Sequence, residues 1–580
     1  MAQAPILSPN FQPRPQRVVD VFLQYLSAER CKVVFGIPGG LLHPFFEAVE
    51  QSEDFELVVS KHEEGAAFMA DGYARTSRQL AVCAGTSGPG ATNMLTGVAC
   101  AHADGVPMLI VTGQANSRAL GKGAAQETQR EDIDIVGMFQ PVTKYSVMVT
   151  HAADLGHHVR RALRLALSGR PGPVHLNIPV EIWEQTADEA WFDPSTYRPP
   201  SHMFDRLAVQ RAAEALMEAE RPVLLAGSGI ASAGAEEHLR TLAELLPARV
   251  ATSPRGKGLF PEDHPLSLGV LGFAGHGPAR QTILGPDCDV LMTTGASLNE
   301  TTTFNWSPAL RPSRALLQLD VDPDRIGRNY PVEVPLVGDA QTILTEITYH
   351  AHRLIRDGRR PNSRWGEISL VEPQAMNELA RSAAVPVTPQ RWRADLQAAL
   401  PDDALIFSDI GGHMLFNIHE LRIREGQRFV LNLGFGSMGH GTISPIGAAL
   451  AHPGRPTVAI IGDGCFTMNG MDLLTAAEYG VRVVWIVENN NMHGITWHGS
   501  KMVGEGKAME AVRYKKPVEV AGIARAMGLM AQIVDQPGQM QGALQEALAH
   551  RGPSLIEVRV DGRISPPLGD RAKTIAGFTK

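Results

Sequence analysis

At 580 residues the chain exceeds what one hydrophobic core buries, so it divides into two or three domains of ordinary size and is no peptide-like scaffold. A formal net charge of -8 without an extended Lys/Arg run excludes the electrostatic footprint of a nucleic-acid binder. Five scattered cysteines (Cys31, Cys83, Cys100, Cys288, Cys465) with no C-x-x-C pair speak against a disulfide framework or zinc site and for a reducing, cytoplasmic setting. No apolar run reaches the roughly 18 residues that span a bilayer, so a soluble protein without membrane attachment is expected.

Residues 1–16, with Pro5, Pro9, Pro13 and Pro15, read as a mobile arm, since they lack the apolar stretch of a signal peptide. From Val18 onward, helices alternate with short apolar runs ending in Gly, the rhythm of parallel α/β units. Strands are expected at 33–35, 57–60, 80–84 and 108–112, and helices at 65–75 and 91–103. A Pro-bearing linker near 187–201 leads to a second sheet with strands at 223–226, 290–294 and 315–319. A charged connector at 353–364 precedes a third sheet with strands near 405–408, 457–461, 481–487 and 555–558. The fold class is therefore α/β, three doubly wound parallel-sheet domains at 17–188, 200–350 and 375–560. The first and third are candidates for one shared fold. The tail at 561–580, with Pro566 and Pro567, reads either as a closure over a site or as a mobile end.

The most informative segment is Gly462-Asp463-Gly464 directly after the apolar run 457–461, followed by a helix, another strand and Asn489-Asn490. In a right-handed βαβ unit both segments emerge at the carboxyl edge of neighbouring parallel strands, where doubly wound sheets bind ligands. Asp463 and Asn490 should therefore face one another and offer hard oxygen ligands suited to Mg2+. Gly462 and Gly464 allow the backbone to approach a diphosphate, and the helix after Cys465 turns its free N–H groups toward it.

Here the sequence resembles the thiamine-diphosphate enzymes of the acetolactate synthase (acetohydroxyacid synthase large subunit) type, whose signature is a Gly-Asp-Gly and, one helix and one strand later, an Asn-Asn pair. The resemblance runs from Arg17 to about Val560. It implies Asp463, Asn490 and the carbonyl of Met492 as metal ligands. Asp409-Ile410-Gly411-Gly412-His413 is similar to the segment that touches the cofactor diphosphate, with Gly412 where Gln is usual, so Gly411, Gly412 and His413 join the cofactor residues. In Gly434-Phe435-Gly436-Ser437-Met438-Gly439 the resemblance makes Met438 the apolar prop beneath the bent cofactor, beside Gly436. Cys465, Gly494 and Ile495 belong to the same set.

In the first domain, Lys61-His62-Glu63-Glu64-Gly65-Ala66 is similar to the family segment whose Glu bonds the cofactor's N1' nitrogen, which makes Glu63 the catalytic carboxyl. Glu64 reads as ordinary N-terminal helix charge. Phe35-Gly36-Ile37-Pro38-Gly39-Gly40 and Thr86-Ser87-Gly88-Pro89-Gly90-Ala91-Thr92-Asn93 also match, placing Gly39 in the catalytic set and Pro38, Pro89 and Asn93 among the cofactor contacts. Gln126 takes the place of an active-site Gln. Ala125 and Gly499 stand where synthases carry Phe and Trp, implying an altered acceptor pocket that includes His493 and His498, read either as general acids or bases or as plain loop residues.

The resemblance implies a pyrimidine-binding, a middle and a diphosphate-binding domain. It also implies a homodimer or homotetramer with the active site between subunits. The middle domain, through Gly256-Lys257-Gly258-Leu259-Phe260-Pro261-Glu262 and Asp320-Val321-Asp322-Pro323, is similar to the one that holds FAD, with Gly227, Gly229, Asp320 and Asp339 as contacts. Against FAD, 295–300 replaces a stretch carrying an Arg and an Asp that hold the flavin, so a purely structural domain stays open. The activity implied is decarboxylation of a 2-oxo acid, pyruvate, with transfer of the acyl carbanion to a second carbonyl acceptor. Two alternatives remain at this stage: a non-ligating decarboxylase releasing an aldehyde, and a catalytically silent binding or regulatory relative. The latter should have lost Glu63, Asp463 or Asn490, and all three are present.

Overall fold

A computed structural model of the chain describes residues 16–129, 133–187, 190–199, 203–366, 378–504 and 506–568. The chain divides into two compact units, Met1–Pro199 and Pro200–Lys580. The expected arm lies outside the described residues except for Gln16, which is not free: Gln16–Arg17 pairs antiparallel with Thr186–Ala187.

The first unit is built on six parallel strands: β1 Val33–Ile37, β2 Glu56–Val59, β3 Ala81–Gly85, β4 Met108–Gln114, β5 Ser146–Met148 and β6 Pro173–Pro179. Their order is β2-β1-β3-β4-β6-β5. Interior strands β3, β4 and β6 are buried at every position, as expected of parallel strands covered by helices on both faces. The helices that matter here are α1 Glu63–Ser77, α2 Pro89–Thr92 and α3 Leu95–Asp104. The single helix expected at 91–103 is thus interrupted at Asn93 and Met94, and Asn93 belongs to the site described below.

Every residue of α1 from Gly65 to Ala74 is buried, as a helix without a polar stripe must be. Asp71 is the charged exception. It accepts from Arg75 at 2.7 and 3.0 Å, and the same guanidinium reaches Asp104 at 2.8 Å, closing an ion triad between α1 and α3.

The second unit carries two sheets. The first contains β7 Pro222–Ala226, β8 Arg249–Thr252, β9 Ser267–Val270, β10 Val290–Thr294, β11 Ala315–Asp320 and β12 Val334–Val337, with helices α4 Glu300–Thr303 and α5 Ala340–Arg356. Its order, β9-β8-β7-β10-β11-β12, is that of a dinucleotide-binding fold. The other sheet contains β13 Leu405–Ser408, β14 Arg428–Leu431, β15 Thr457–Gly462, β16 Val484–Asn489, β17 Met530–Val534 and β18 Ser554–Arg559. Its helices include α6 Pro389–Ala399, α7 Gly412–Glu420, α8 His440–Ala451, α9 Asp463–Asn469 and α10 Gly494–Val503. The order β14-β13-β15-β16-β18-β17 repeats that of the first unit strand for strand.

The two sheets of the second unit are riveted together by Glu262. Its carboxylate accepts from the buried Lys257 ammonium at 2.7 and 2.8 Å and from the Ile423 N–H at 2.9 Å. Its own N–H donates to the Ile423 carbonyl at 2.9 Å. Among the described residues no helix is long and apolar enough to cross a membrane. All five cysteines are free and buried.

Asp71→Ala should lower the unfolding free energy by about 3–5 kcal/mol, because it strips a buried guanidinium of part of its compensation. Equilibrium denaturation measures this. A loss below about 1 kcal/mol, the range of an exposed pair, would show the triad to be dispensable.

Candidate active site

In the first unit the loops after β1, β2 and β3 bring Gly39, Thr86, Gly90, Glu63 and Asn93 together. Glu63 is the first residue of α1, half-buried, behind the N-cap His62, whose Nδ1 accepts the Glu64 N–H at 3.2 Å. The Asn93 amide donates to Glu63 Oε2 at 2.9 Å, fixing the rotation of the carboxylate. Glu63 Oε1 faces Gly90, where a Cβ would lie 3.5 Å away and 2.9 Å from Thr86. A Cβ on Gly39 would meet Thr86 at 2.5 Å, so this approach of two loops requires glycine. Pro38 and Pro89 are exposed beside them.

Gln126 and Ala125 are also exposed, on the loop that follows β4, and Gln126 has a left-handed backbone with φ 57°. Its side chain lies 3.8 Å from where a Cβ on Gly88 would be. The loop is pinned by Gln114, whose amide pairs with the Thr128 backbone like a peptide group: Nε2 to the carbonyl at 2.8 Å and the Thr128 N–H to Oε1 at 3.1 Å. Thr128 Oγ1 is in turn 2.8 Å from Ser87 Oγ.

In the second unit β15 and β16 end side by side, with Gly462 registered opposite Glu488. Asp463 is buried at the start of α9, accepting the Gly464 N–H at 2.8 Å and the Asn491 N–H at 2.7 Å. Burial pushes its pKa up to about 7; the neighbouring backbone N–H groups oppose that rise and the Glu488 charge adds to it. Asn490 Oδ1 accepts the Met492 N–H at 3.1 Å. A Cβ on Gly494 would lie 2.8 Å from Asn490 Nδ2. Gly412, at the start of α7, lies against Gly494 and Ile495, at the start of α10. The His413 ring covers Gly411 and Gly462, and burial lowers its pKa to about 3, so it is neutral at ordinary pH.

Three side chains converge on the bare α-carbon of Gly464: a Cβ there would lie 3.0 Å from His493 Nδ1 and 3.1 Å from both Met438 Cε and Tyr514 Oη. His493 and Tyr514 meet edge to face at 5.5 Å. Met438 is delivered by a turn that passes through Gly436 (φ 79°) and Gly439 (φ 93°). Asp409 latches that turn, accepting from the Gly439 N–H at 3.1 Å and the Thr442 hydroxyl at 2.7 Å. The Cys465 thiol donates to the Ile410 carbonyl at 3.2 Å, and burial raises its pKa, so it packs as an apolar group. His498 is buried with Nε2 3.0 Å from the Gly562 carbonyl, tying α10 to the C-terminal segment, while Gly499 borders open space. Residues 561–568 run over Asn490, Met492 and Gly412; the rest of the expected tail lies outside the described residues.

Three family descriptions of the thiamine pyrophosphate enzymes match the chain: the N-terminal TPP binding domain at residues 16–138, the central domain at 209–347 and the C-terminal TPP binding domain at 409–558. This chain is a thiamine pyrophosphate enzyme. Among curated relatives it is 32% identical over 562 residues to a probable acetolactate synthase large subunit of Methanocaldococcus jannaschii, covering 95% of this chain and 93% of that one. It is 33% identical to an acetolactate synthase of Arthrospira platensis, covering 94% of each, and 30% identical to the Escherichia coli isozyme 1 large subunit, covering 93% of each.

Within this thiamine pyrophosphate enzyme the residues expected around a flavin have local tasks. Asp339 caps α5, accepting from the Thr342 N–H at 2.9 Å and hydroxyl at 3.0 Å. Asp320 accepts the Asp322 N–H at 3.0 Å. Gly227 and Gly229 press against Gly295, donating to the Thr294 and Gly295 carbonyls at 2.9 and 3.1 Å. Asn299, in the replaced stretch, caps α4 through the Thr302 N–H at 3.1 Å. Sequence reasoning missed Tyr514, the Asp409 latch and the Gln114 clasp. Tyr514 sits in Arg513-Tyr514-Lys515-Lys516, which carries no motif.

Gly439→Ala combines positive φ with a Cβ only 1.9 Å from Asn469 Oδ1 and should cost about 1–3 kcal/mol of stability. Gly412→Ala, with its nearest neighbour at 3.5 Å, should stay within about 0.5 kcal/mol. Denaturation of both variants decides; equal losses would show that this description of the turn is wrong.

Proposed function

We propose that the chain is a thiamine-diphosphate- and magnesium-dependent carboligase that decarboxylates a 2-oxo acid, pyruvate, and couples the acyl fragment to a second carbonyl compound. The observation that carries the reading is near-full-length similarity to acetolactate synthases together with Glu63, Asp463 and Asn490 at the carboxyl edges of their sheets. A plain decarboxylase is not favoured by those relatives, and a silent relative has no need of all three residues.

The donor set fits a magnesium ion. The Asp463 carboxylate is buried among backbone N–H groups, and burial raises its pKa, an effect that a bound cation would oppose. Together with the Asn490 amide oxygen and the Met492 carbonyl it forms the hard-oxygen, low-charge set that leaves room for phosphate oxygens. Among the described residues there is no rival group of three or more His, Cys, Asp or Glu. The first turns of α7 and α10, at Gly412 and Gly494, present backbone N–H groups suited to a diphosphate, with neutral His413 over Gly411 and Gly462. Gly464 leaves the space that Met438 needs as a prop.

Thiamine diphosphate, when bound, supplies the thiazolium carbon that accepts the electrons released by decarboxylation. Glu63, oriented by Asn93, holds a proton at Oε1 for the pyrimidine ring nitrogen. Gln126, on the loop clasped by Gln114, orients the substrate carboxylate or acceptor beside Gly39 and Gly88. By the resemblance, Ala125 and Gly499 stand where synthases carry Phe and Trp, which supports an acceptor preference different from theirs. His498, engaged by Gly562, is read as structural.

The reading includes a homo-oligomer in which these two sets of residues come from different subunits, with the relatives' description as large subunits in support. It includes domain limits near 17–188, 200–350 and 375–560, consistent with the three matched segments, and a cytoplasmic setting, supported by the five free cysteines. The reading leaves FAD out because 295–300 lacks the Arg and Asp of the flavin-holding stretch and Asn299 there caps α4. The middle sheet is read as structural.

With pyruvate, thiamine diphosphate, Mg2+ and a panel of aldehyde and 2-oxo acid acceptors, mass spectrometry should find a C–C coupled product, reduced roughly 10²- to 10⁴-fold by Glu63→Gln. Aldehyde alone would replace the carboligase by the decarboxylase, and no pyruvate consumption would remove the donor assignment. The purified protein should show no visible flavin absorbance; a stoichiometric flavin spectrum would overturn the structural reading of the middle sheet.

A further inference from the structure

Behind the loops of the third sheet lies a cation that the functional reading does not use. Arg393, on α6, is fully buried, and so is its ion-pair partner Glu488, the penultimate residue of β16. The guanidinium spends its donors on four acceptors in three elements, β16, α7 and its own α6. Nη1 reaches Glu488 Oε2 at 2.7 Å and the Pro389 carbonyl at 2.9 Å, Nε reaches Asn417 Oδ1 at 2.8 Å, and Nη2 reaches the His413 carbonyl at 3.1 Å. Its planar face stacks over Trp392 at 4.2 Å and Phe416 at 5.0 Å. Trp392 Nε1 donates to the same Glu488 oxygen at 3.2 Å, and Asn417 passes the network on to Ser408, at the end of β13.

Two of these contacts fall on the bases of the loops in question. His413 is the second residue of α7, directly after Gly411 and Gly412, and Glu488 stands two residues before Asn490. A buried ion pair contributes little stability compared with apolar side chains of equal volume, and its best-attested use is to fix geometry. A planar fork with fixed donor directions suits that task; a lysine ammonium, a point charge on a flexible stem, does not.

We propose that Arg393 and Glu488 are positioning residues that set how tightly the chain holds thiamine diphosphate and its metal, acting through the His413 carbonyl and the end of β16 without touching the cofactor. The proposal rests on the reading that this edge of the sheet holds the diphosphate. It separates affinity from turnover: loss of the fork lets the α7 and β16 loops drift, and bound cofactor restores their arrangement once it saturates.

The test uses the full chain carrying Arg393→Lys or Glu488→Gln, titrated with thiamine diphosphate in excess Mg2+ and followed by tryptophan fluorescence, which includes Trp392. The expected result is a dissociation constant raised about 10- to 100-fold in both, as for other outer-shell partners of metal sites, while kcat at saturating cofactor falls by less than about three-fold. Circular dichroism and the apo denaturation midpoint provide the folding control. Variants that lose apo stability but bind with unchanged affinity would show a merely structural pair and overturn the proposal. An equal fall in kcat and affinity would do the same. Should Arg393→Lys not fold, Asn417→Ser, which removes one acceptor of the fork, carries the same titration and the same two outcomes. A wild type that binds no thiamine diphosphate removes the functional reading itself, whereas normal wild-type binding with unaffected variants removes this proposal alone.

Discussion

A carboxylate buried at the carboxyl edge of a parallel sheet is the constraint around which the second unit is arranged. Asp463 cannot be left alone in so dry a place, and the chain answers with backbone N–H groups from Gly464 and Asn491, supplied because β15 and β16 end in register. Even so, burial holds its proton more tightly than that of an exposed carboxylate, and the Glu488 charge close by adds to the effect. The geometry of α7, α9 and α10 follows from this arrangement. α9 and α10 begin where a glycine lies close against its neighbours, with little room for a side chain, whereas Gly412 at the start of α7 leaves space for one.

Glu63 in the first unit solves the opposite problem. It is half-buried and must be held in one orientation rather than relieved of desolvation. Asn93 does this from the junction between α2 and α3, reaching back to the start of α1.

The parts of this molecule that were legible in its sequence share a physical character. Interior strands such as Ala81–Gly85 and Met108–Gln114 carry continuous apolar runs and declare themselves. Edge strands such as Ser146–Met148, Val334–Val337 and Met530–Val534 are short or half-solvated and do not. Asp463 and Asn490 could be paired in advance because one βαβ unit connects them and its handedness is fixed. Glu63 needed resemblance, since a Glu at a helix start is ordinary. Arg393, Tyr514 and Gln114, and the bonds of Asp409 to Gly439 and Thr442, were invisible for a different reason: each acts on a segment remote in sequence, through contacts that no local pattern encodes.

The first and third sheets share one strand order, and the correspondence extends to the loops. The loop after the first strand carries Gly39 in one and His413 in the other. The second carries Glu63 and Met438, the third Gly90 and Asp463, and the fourth Gln126 and Asn490. One strand order thus occurs twice in the chain, and on the proposed reading the same four ledges serve proton handling in the earlier copy and anion and cation capture in the later. The middle sheet, with a different order, stands outside that symmetry. Such a layout lets each copy drift in its own chemistry while topology keeps the ledges in place, so diversification among enzymes of this architecture can proceed by rewriting loops without refolding sheets.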